Sequence, residues 1–151
     1  MNNKGSVKSS KTTVKAKNNR GKGLTYAVGR RREAVARIRL YKGKGQNLVN
    51  EQSFGEYFPG QLAQIAYTKP FQLTDTEGKY FATVRVVGGG KNGQLGAVIH
   101  GLSRALAQIE EKKHRPILKK EGLLTRDPRT RERRKVGTGG KARRKKQSPK
   151  R

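Results

Sequence analysis

The sequence contains no cysteine and no tryptophan, and only ten of its 151 residues are acidic. Without cysteine the chain can form neither a disulfide nor a thiolate metal site, which fits a reducing compartment. No apolar stretch approaches the length of a membrane span, and residues 1–23 lack the apolar run of a secretory signal. We therefore expect a cytoplasmic protein without membrane partners; an organellar location is the weaker interpretation of the acid-free, serine-containing amino terminus.

Catalytic chemistry also has little to draw on. The two histidines, His100 and His114, are separated by fourteen positions, and the carboxylates show no spacing typical of metal ligands. Asp75 and Glu77 are better explained by a turn. We therefore predict that the protein is not an enzyme and that it requires no cofactor or metal.

Positive charge is what the sequence does contain, with 37 Lys and Arg residues and a net charge of +27. Residues 1–23 hold seven bases and no acid, residues 24–111 have a net charge of +5, and residues 112–151 have a net charge of +15. So dense a charge repels itself in water and favours a polyanionic partner. Nucleic acid fits best, because each phosphate that is neutralised releases a counterion. A solubilising disordered tail is the alternative.

Charge and apolar periodicity together divide the chain into three parts. We predict a disordered basic extension over residues 1–23, a globular domain over 24–124 and an extended basic tail over 125–151. The central part is long enough for one small hydrophobic core.

The first part of the predicted domain has the alternation of a half-buried strand. Residues 24–41 predict extended structure, with one apolar face made by Ala34, Ala36, Ile38 and Leu40. A glycine-rich turn at residues 42–45 and a short strand at 46–50 predict a hairpin with this strand.

A helix is predicted over residues 53–67, because Ser53 and Glu56 have the spacing of a capping box. Pro59 and the glycine after it are expected to divide this helix in two. Strand-like stretches follow at Phe71 with Leu73 and at residues 80–87.

The strongest helical pattern lies after a glycine-rich loop, where apolar residues recur at three- and four-residue spacing from Leu95 to Ile109. A shorter helix is predicted from Pro116 to Leu124. The order of strands and helices predicts a two-layer α/β (α+β) sandwich, with a mixed sheet and the helices on one face.

The glycine-rich loop matches G-x-G-x-x-G at Gly88, Gly90 and Gly93, between a strand and a helix. A dinucleotide site is disfavoured, because too little chain follows to build a second strand with an acidic residue. Two interpretations stay open. The loop could bind a nucleic-acid phosphate at a helix amino terminus beside Lys91, or it could be only a tight connection that glycine permits.

Four arginines, Arg30, Arg31, Arg32 and Arg37, lie near the start of the first long strand. Arginine on a structured element suits bidentate contacts with phosphate. The alternative is a solvated, charged edge strand.

Three motifs occur in order along the chain. They are the run from Tyr26 to Ile38, the run from Gly88 to Leu106 with Gln94 and Arg104-Ala105-Leu106, and Leu124-Thr125-Arg126-Asp127, followed by a terminal Lys150-Arg151. Together they resemble the small-subunit ribosomal protein nine family. The resemblance covers roughly residues 24–151. The sequence departs from the family in its tail at residues 136–143 and at Pro149.

The resemblance implies a structural protein of the small ribosomal subunit, located on the cytoplasmic ribosome. It implies a fold like the second domain of small-subunit ribosomal protein five, bound to ribosomal RNA in the subunit head beside neighbouring ribosomal proteins. It also implies that the tail tip reaches the anticodon stem-loop of the peptidyl-site transfer RNA. The alternative is a free-standing nucleic-acid chaperone or nucleoid-type protein.

On this basis we assign candidate contact residues by their charge and position. The ribosomal RNA contacts are Arg30, Arg31, Arg32, Arg37, Lys91, Arg104, Arg126, Arg129, Arg131, Arg133, Arg134, Lys135, Lys141, Arg143, Arg144, Lys145 and Lys146, and the transfer RNA contacts are Lys150 and Arg151.

Overall fold

The computed structural model describes residues 24–131, in which five strands and four helices are formed. In chain order they are β1 (Thr25–Arg31), β2 (Ala34–Lys42), β3 (Leu48–Val49), β4 (Gln52–Ser53), α1 (Phe54–Tyr57), α2 (Gln61–Leu73), β5 (Tyr80–Val87), α3 (Lys91–Ile109) and α4 (Glu111–Lys120).

The strands form one mixed sheet in the order β1-β2-β5-β3-β4. β2 is antiparallel to both β1 and β5, β3 is parallel to β5, and β4 is antiparallel to β3. This architecture confirms the predicted mixed α/β class. The stretch predicted as extended at residues 24–41 is itself a hairpin, which turns at Arg32 and Glu33.

The predicted hairpin between the first long strand and residues 46–50 is wrong. β5 pairs with β2 along its length, with Ile38 opposite Val84, and so occupies the edge that a hairpin would need. β3 instead joins the far side of β5. There Asn47 and Asn50 extend the pairing through their side chains, because each Oδ1 accepts the backbone N–H of a β5 residue, at 2.8 and 2.9 Å.

The core lies between one face of this sheet and α3. Alternate residues of β2 and β5 are buried, as the period-two pattern predicted, and the largest fully buried side chains include Ile38, Leu40, Val84, Leu102 and Leu106. Each such side chain contributes about 1.5–3 kcal/mol by its removal from water. The opposite face of the sheet has no helix over it within the described residues.

Two glycines let α3 lie directly on β1. A Cβ added at Gly29 would lie 1.9 Å from the carbonyl oxygen of Ala97, and one added at Gly101 would lie 2.9 Å from the backbone nitrogen of Gly29. Neither distance is compatible with a side chain, so backbone packs against backbone at this crossing.

The helices before β5 agree with the sequence prediction at their start and differ at their end. The capping box at Ser53 and Glu56 is present, and the predicted helix is divided after α1. The predicted strand at Phe71 and Leu73 is wrong, because α2 continues through both. Its helical face buries Tyr67 and Phe71 together with Pro70, so burial outweighs the hydrogen bond that proline removes.

α4 also begins earlier than predicted, at Glu111, and Pro116 lies inside it rather than at its start. It buries His114 and Leu118, and it ends where Gly122 adopts a positive φ of 69°. Across residues 24–131 no helix is both long and apolar enough to cross a membrane. The predictions for residues 1–23 and for the tail after Arg131 lie outside the described residues, and the domain boundaries stay predictions.

Replacing Gly29 by alanine is expected to prevent folding, or to lower the free energy of unfolding by about 3 kcal/mol, the upper range for overpacking. The added methyl group meets main-chain atoms of α3, which cannot swing aside as a side chain could. Gly55→Ala is the matched control, because nothing lies within 4 Å of its Cβ position. That variant should gain about 0.5 kcal/mol from helix propensity. Urea unfolding compares them, and a Gly29→Ala protein as stable as the wild type would contradict the packing argument.

Candidate nucleic-acid interface

Three segments of the chain meet at one end of the domain. The β1–β2 turn lies beside the amino terminus of α3, and the chain after α4 returns to the same place. A groove there is lined by Arg32 and Glu33 from the turn, by residues 89–93 and by Thr130 and Arg131. We call this region the basic end, and define it by Arg30, Arg31, Arg32, Arg126, Arg129 and Arg131.

The glycine loop gives this end its shape. Gly88 and Gly89 have φ angles of 78° and 61°, and a Cβ at Gly88 would lie 2.5 Å from the carbonyl oxygen of Glu33. Both glycines are therefore required by the connection itself. Gly90 has an ordinary φ of −96° at the N-cap of α3, and no side chain caps the helix. The first-turn N–H groups of α3 thus face the groove without a capping side chain, which suits an anion.

Lys91 is tied to the protein rather than extended into the groove. Its Nζ lies 3.3 Å from the centre of the Tyr57 ring and donates a hydrogen bond to the Tyr57 carbonyl at 3.2 Å. Gln94 links Tyr57 to the glycine loop. It accepts a hydrogen bond from the Tyr57 hydroxyl at 2.9 Å and donates one to the Gly88 carbonyl at 3.1 Å. Sequence reasoning missed Tyr57, because a single aromatic at the end of a four-residue helix leaves no periodic signal.

Arg104 and His100 both protect the outer edge of β1. The Arg104 guanidinium donates to the carbonyl of Val28, and His100 Nδ1 accepts the backbone N–H of Arg30 at 3.2 Å. β1 is an edge strand, whose outward backbone groups would otherwise be open to another chain. His100 is half-buried in this position. Arg104, proposed as an RNA contact, is exposed and has a structural bond as well.

Burial lowers the pKa of His100 below its ordinary value, and the nearby charges of Arg104 and Arg126 lower it further. A neutral imidazole is what the hydrogen bond from Arg30 requires, because a protonated ring nitrogen cannot accept.

Asp127 fastens the returning chain to β1. Its carboxylate contacts the Arg31 guanidinium at 3.1 Å and accepts two side-chain hydrogen bonds from Arg129, at 2.9 and 2.8 Å, besides the Arg129 backbone N–H. The hydrogen bonds from Arg129, and secondarily the charge of Arg31, hold the pKa of Asp127 well below its usual range. Two of the candidate RNA contacts are therefore oriented by one carboxylate.

Of the other candidate contacts, Arg37 lies apart from the basic end, on the uncovered face of the sheet. The candidates from position 133 onward, including Lys150 and Arg151, lie outside the described residues. Within residues 24–131 no group of three or more His, Asp and Glu side chains could hold a metal. In that same range α3 is followed by α4 rather than by a strand, so the second strand of a dinucleotide fold is missing there.

The family comparison agrees with the motifs. A family model described as Ribosomal protein S9/S16 matches residues 29–151 of this chain. The match begins inside β1 and includes the glycine loop and the whole basic end.

Individual relatives give the same result. Small ribosomal subunit protein uS9 of Maridesulfovibrio salexigens (strain ATCC 14822 / DSM 2638 / NCIMB 8403 / VKM B-1763) is 49% identical over 79% of this chain and 91% of its own length. The proteins of the same name from Leifsonia xyli subsp. xyli (strain CTCB07) and Cutibacterium acnes (strain DSM 16379 / KPA171202) are 49% and 45% identical over 74% of this chain. The chain spans 66% and 64% of the length of those two relatives.

The lowered pKa of His100 predicts how the free energy of unfolding depends on pH. Because its folded pKa lies below the unfolded value of 6.5, the unfolded chain binds protons first as the pH falls. Stability is therefore complete above that value, declines as the pH falls below it, and levels off below the folded pKa. Melting temperatures between about pH 7.5 and pH 5 measure this decline. His100→Gln, which retains His114, should flatten the curve; an equally steep curve in that variant would assign the effect elsewhere.

Proposed function

Because the chain belongs to the ribosomal protein S9/S16 family, we propose that it is a structural protein of the small ribosomal subunit, bound to ribosomal RNA in the subunit head. The family consists of structural ribosomal proteins rather than enzymes. We further propose that neighbouring proteins of the subunit head are its other partners.

The observation that carries the RNA proposal is the convergence of six arginines at the basic end, far apart in sequence and close in the fold. Two grooves lie at the basic end, the one described above and a second beside Asp127. Among the described residues that line them, only Glu33 and Asp127 are acidic, and Asp127 is already bonded to two arginines. A phosphate backbone supplies the charge that the protein itself does not. The first-turn N–H groups of α3 add neutral donors in the same groove.

Arg32 is the residue whose substitution best distinguishes RNA binding from a purely structural role of the basic end. It lies at the tip of the β1–β2 turn, its side chain is exposed, and its φ of 51° is one that glycine adopts more readily. A non-glycine residue in that conformation costs roughly 1–2 kcal/mol. The turn itself gives no reason for an arginine at this strained position, which supports a contact made by its charge.

We expect Arg32→Gly to raise the melting temperature slightly, because relief of the strain exceeds the entropy that glycine adds to the unfolded chain. The same variant should bind small-subunit ribosomal RNA about five- to tenfold more weakly at low salt, through loss of charge-assisted bonds. The slope of log affinity against log salt should fall by about 1.

Lys113→Gln is the matched control, since it removes one charge at the start of α4. α3 begins at the basic end and is about 28 Å long, and Lys113 lies just beyond its far end. Filter binding and reconstitution of small subunits measure both variants. Equal losses for Arg32→Gly and Lys113→Gln would point to net charge alone and would overturn the assignment of the basic end.

For the tail we propose the role that the family resemblance implies, a contact between its tip and the peptidyl-site transfer RNA. Twenty residues follow Arg131 in the sequence, which gives a maximum reach of about 66 Å. Ten of the 20 are Lys or Arg, so the segment could follow RNA phosphates over that distance.

Deleting residues 147–151 is expected to leave subunit assembly nearly intact, because most of the basic residues remain. Peptidyl-site transfer RNA should bind about five- to a hundredfold more weakly, as loss of about 1–3 kcal/mol of charge-assisted contact implies. The double variant Lys112→Ala, Lys113→Ala removes an equal number of charges from α4 and serves as the control. Truncated subunits that hold transfer RNA as tightly as intact ones at low salt would leave the protein with the ribosomal RNA role alone.

A further inference from the structure

The uncovered face of the sheet carries a second set of basic and aromatic side chains. Strand residues alternate between the core and this face, and we call it the open face, defined by Tyr26, Arg37, Arg39, Tyr41, Phe81 and Arg85. α3 lies against the other side of the sheet. The open face meets the basic end only at Arg30, which alternates onto the same side of β1 as Tyr26.

The charges on the open face work against folding. Arg37 of β2 stands directly opposite Arg85 of β5, and Arg39 lies two positions along the same strand. Like charges directly opposed across a sheet are destabilising. A groove runs along the open face, and in the described part of the chain Glu51 is the one acidic residue that lines it. Three arginines against one carboxylate leave an excess of positive charge that the fold does not use.

Exposed aromatic rings lie next to these arginines. Tyr26 is 53% exposed and stands opposite Arg39 across the β1–β2 pair. Tyr41 and Phe81 stack with their ring centres 5.2 Å apart, and both are only partly buried. Rings on an open sheet, with cations between them, form the platform on which unpaired bases stack while phosphates meet arginine.

We propose that the open face binds an unpaired segment of RNA. Arg37, Arg39 and Arg85 contact its phosphates, and Tyr26 and Tyr41 receive its bases. The Phe81 ring lies between Tyr41 and Gly45 and supports Tyr41 from behind. A paired helix would present its phosphates and sugars but not its base planes, and would leave the aromatic rings unused. A protein partner would need several carboxylates in a buried interface, where charged groups are depleted. The inference rests on the proposed function in taking RNA as the ligand, but it concerns a separate surface.

Arg85→Glu tests the phosphate contacts with two opposite readouts. Glutamate opposite Arg37 replaces repulsion by attraction, so the melting temperature of the full-length protein should rise. Affinity for a fluorescein-labelled oligouridine of about twelve nucleotides should fall tenfold or more at low salt. Lys113→Glu makes the same change of charge on α4 and should reduce that affinity by much less.

Tyr26→Ser tests the stacking separately, because it removes a ring and no charge. Binding of the unpaired oligonucleotide should weaken about fivefold or more, whereas binding of an RNA hairpin of equal length should not change. Unchanged oligouridine binding by both Arg85→Glu and Tyr26→Ser would overturn the inference. So would equal losses on the hairpin and the single strand, since the face would then respond to charge alone.

In assembled small subunits, a photo-crosslinker placed at position 85 should join to RNA. Crosslinks to another protein instead would mean that the open face is a protein interface, and would also overturn the inference. The proposed function is scored independently, by incorporation of the wild-type chain into small subunits and by the Arg32→Gly comparison. Normal incorporation with no effect of the open-face variants therefore rejects the inference while the proposed function stands.

Discussion

The contact between the backbones of β1 and α3 determines the rest of the structure. Gly29 and Gly101 allow the helix to approach the strand more closely than any side chain would permit. At that distance His100 and Arg104 reach the outer backbone groups of β1, one turn apart on the helix, and close an edge that would otherwise be exposed. The same contact brings the amino terminus of α3 beside the β1–β2 turn, and so brings together the elements of the basic end.

Among the described residues, only three acids line the grooves of the two basic surfaces. Several acidic residues lie in turns and at helix ends away from the basic end; Glu56 completes a helix cap and Glu121 pairs with Lys69. Glu33 and Asp127 lie at the basic end and Glu51 lies on the open face. Asp127 fastens the returning chain to β1 while it orients Arg31 and Arg129. Each carboxylate with a local partner has little left to offer the remaining cations. The excess charge on both surfaces is therefore left for an external polyanion.

Local patterns predicted the elements well and their pairing less well. The alternation in β2 and β5 and the Ser53 cap follow from chemistry within a few residues, and the sequence shows both. The partner of β3 depends on which strand occupies the edge of β2, a competition between segments far apart in the chain. Proline at position 116 predicted the start of a helix, but it lies inside α4, as Pro70 lies inside α2, because burial of the surrounding helical faces outweighs the lost hydrogen bonds.

At the candidate site, too, the sequence could not predict which groups interact with one another. Net charge located the RNA-binding candidates, but it could not tell which cations the protein itself uses, and Lys91 and Arg104 proved to be bonded internally. Two of the other candidates lower stability where they stand. Arg32 occupies a conformation that favours glycine, and Arg37 faces Arg85 across the sheet. Neither arrangement benefits the isolated domain, which supports the proposal that RNA phosphates lie against both. A local departure from what folding alone would choose is thus a second criterion, besides the charge count, for proposing an RNA contact.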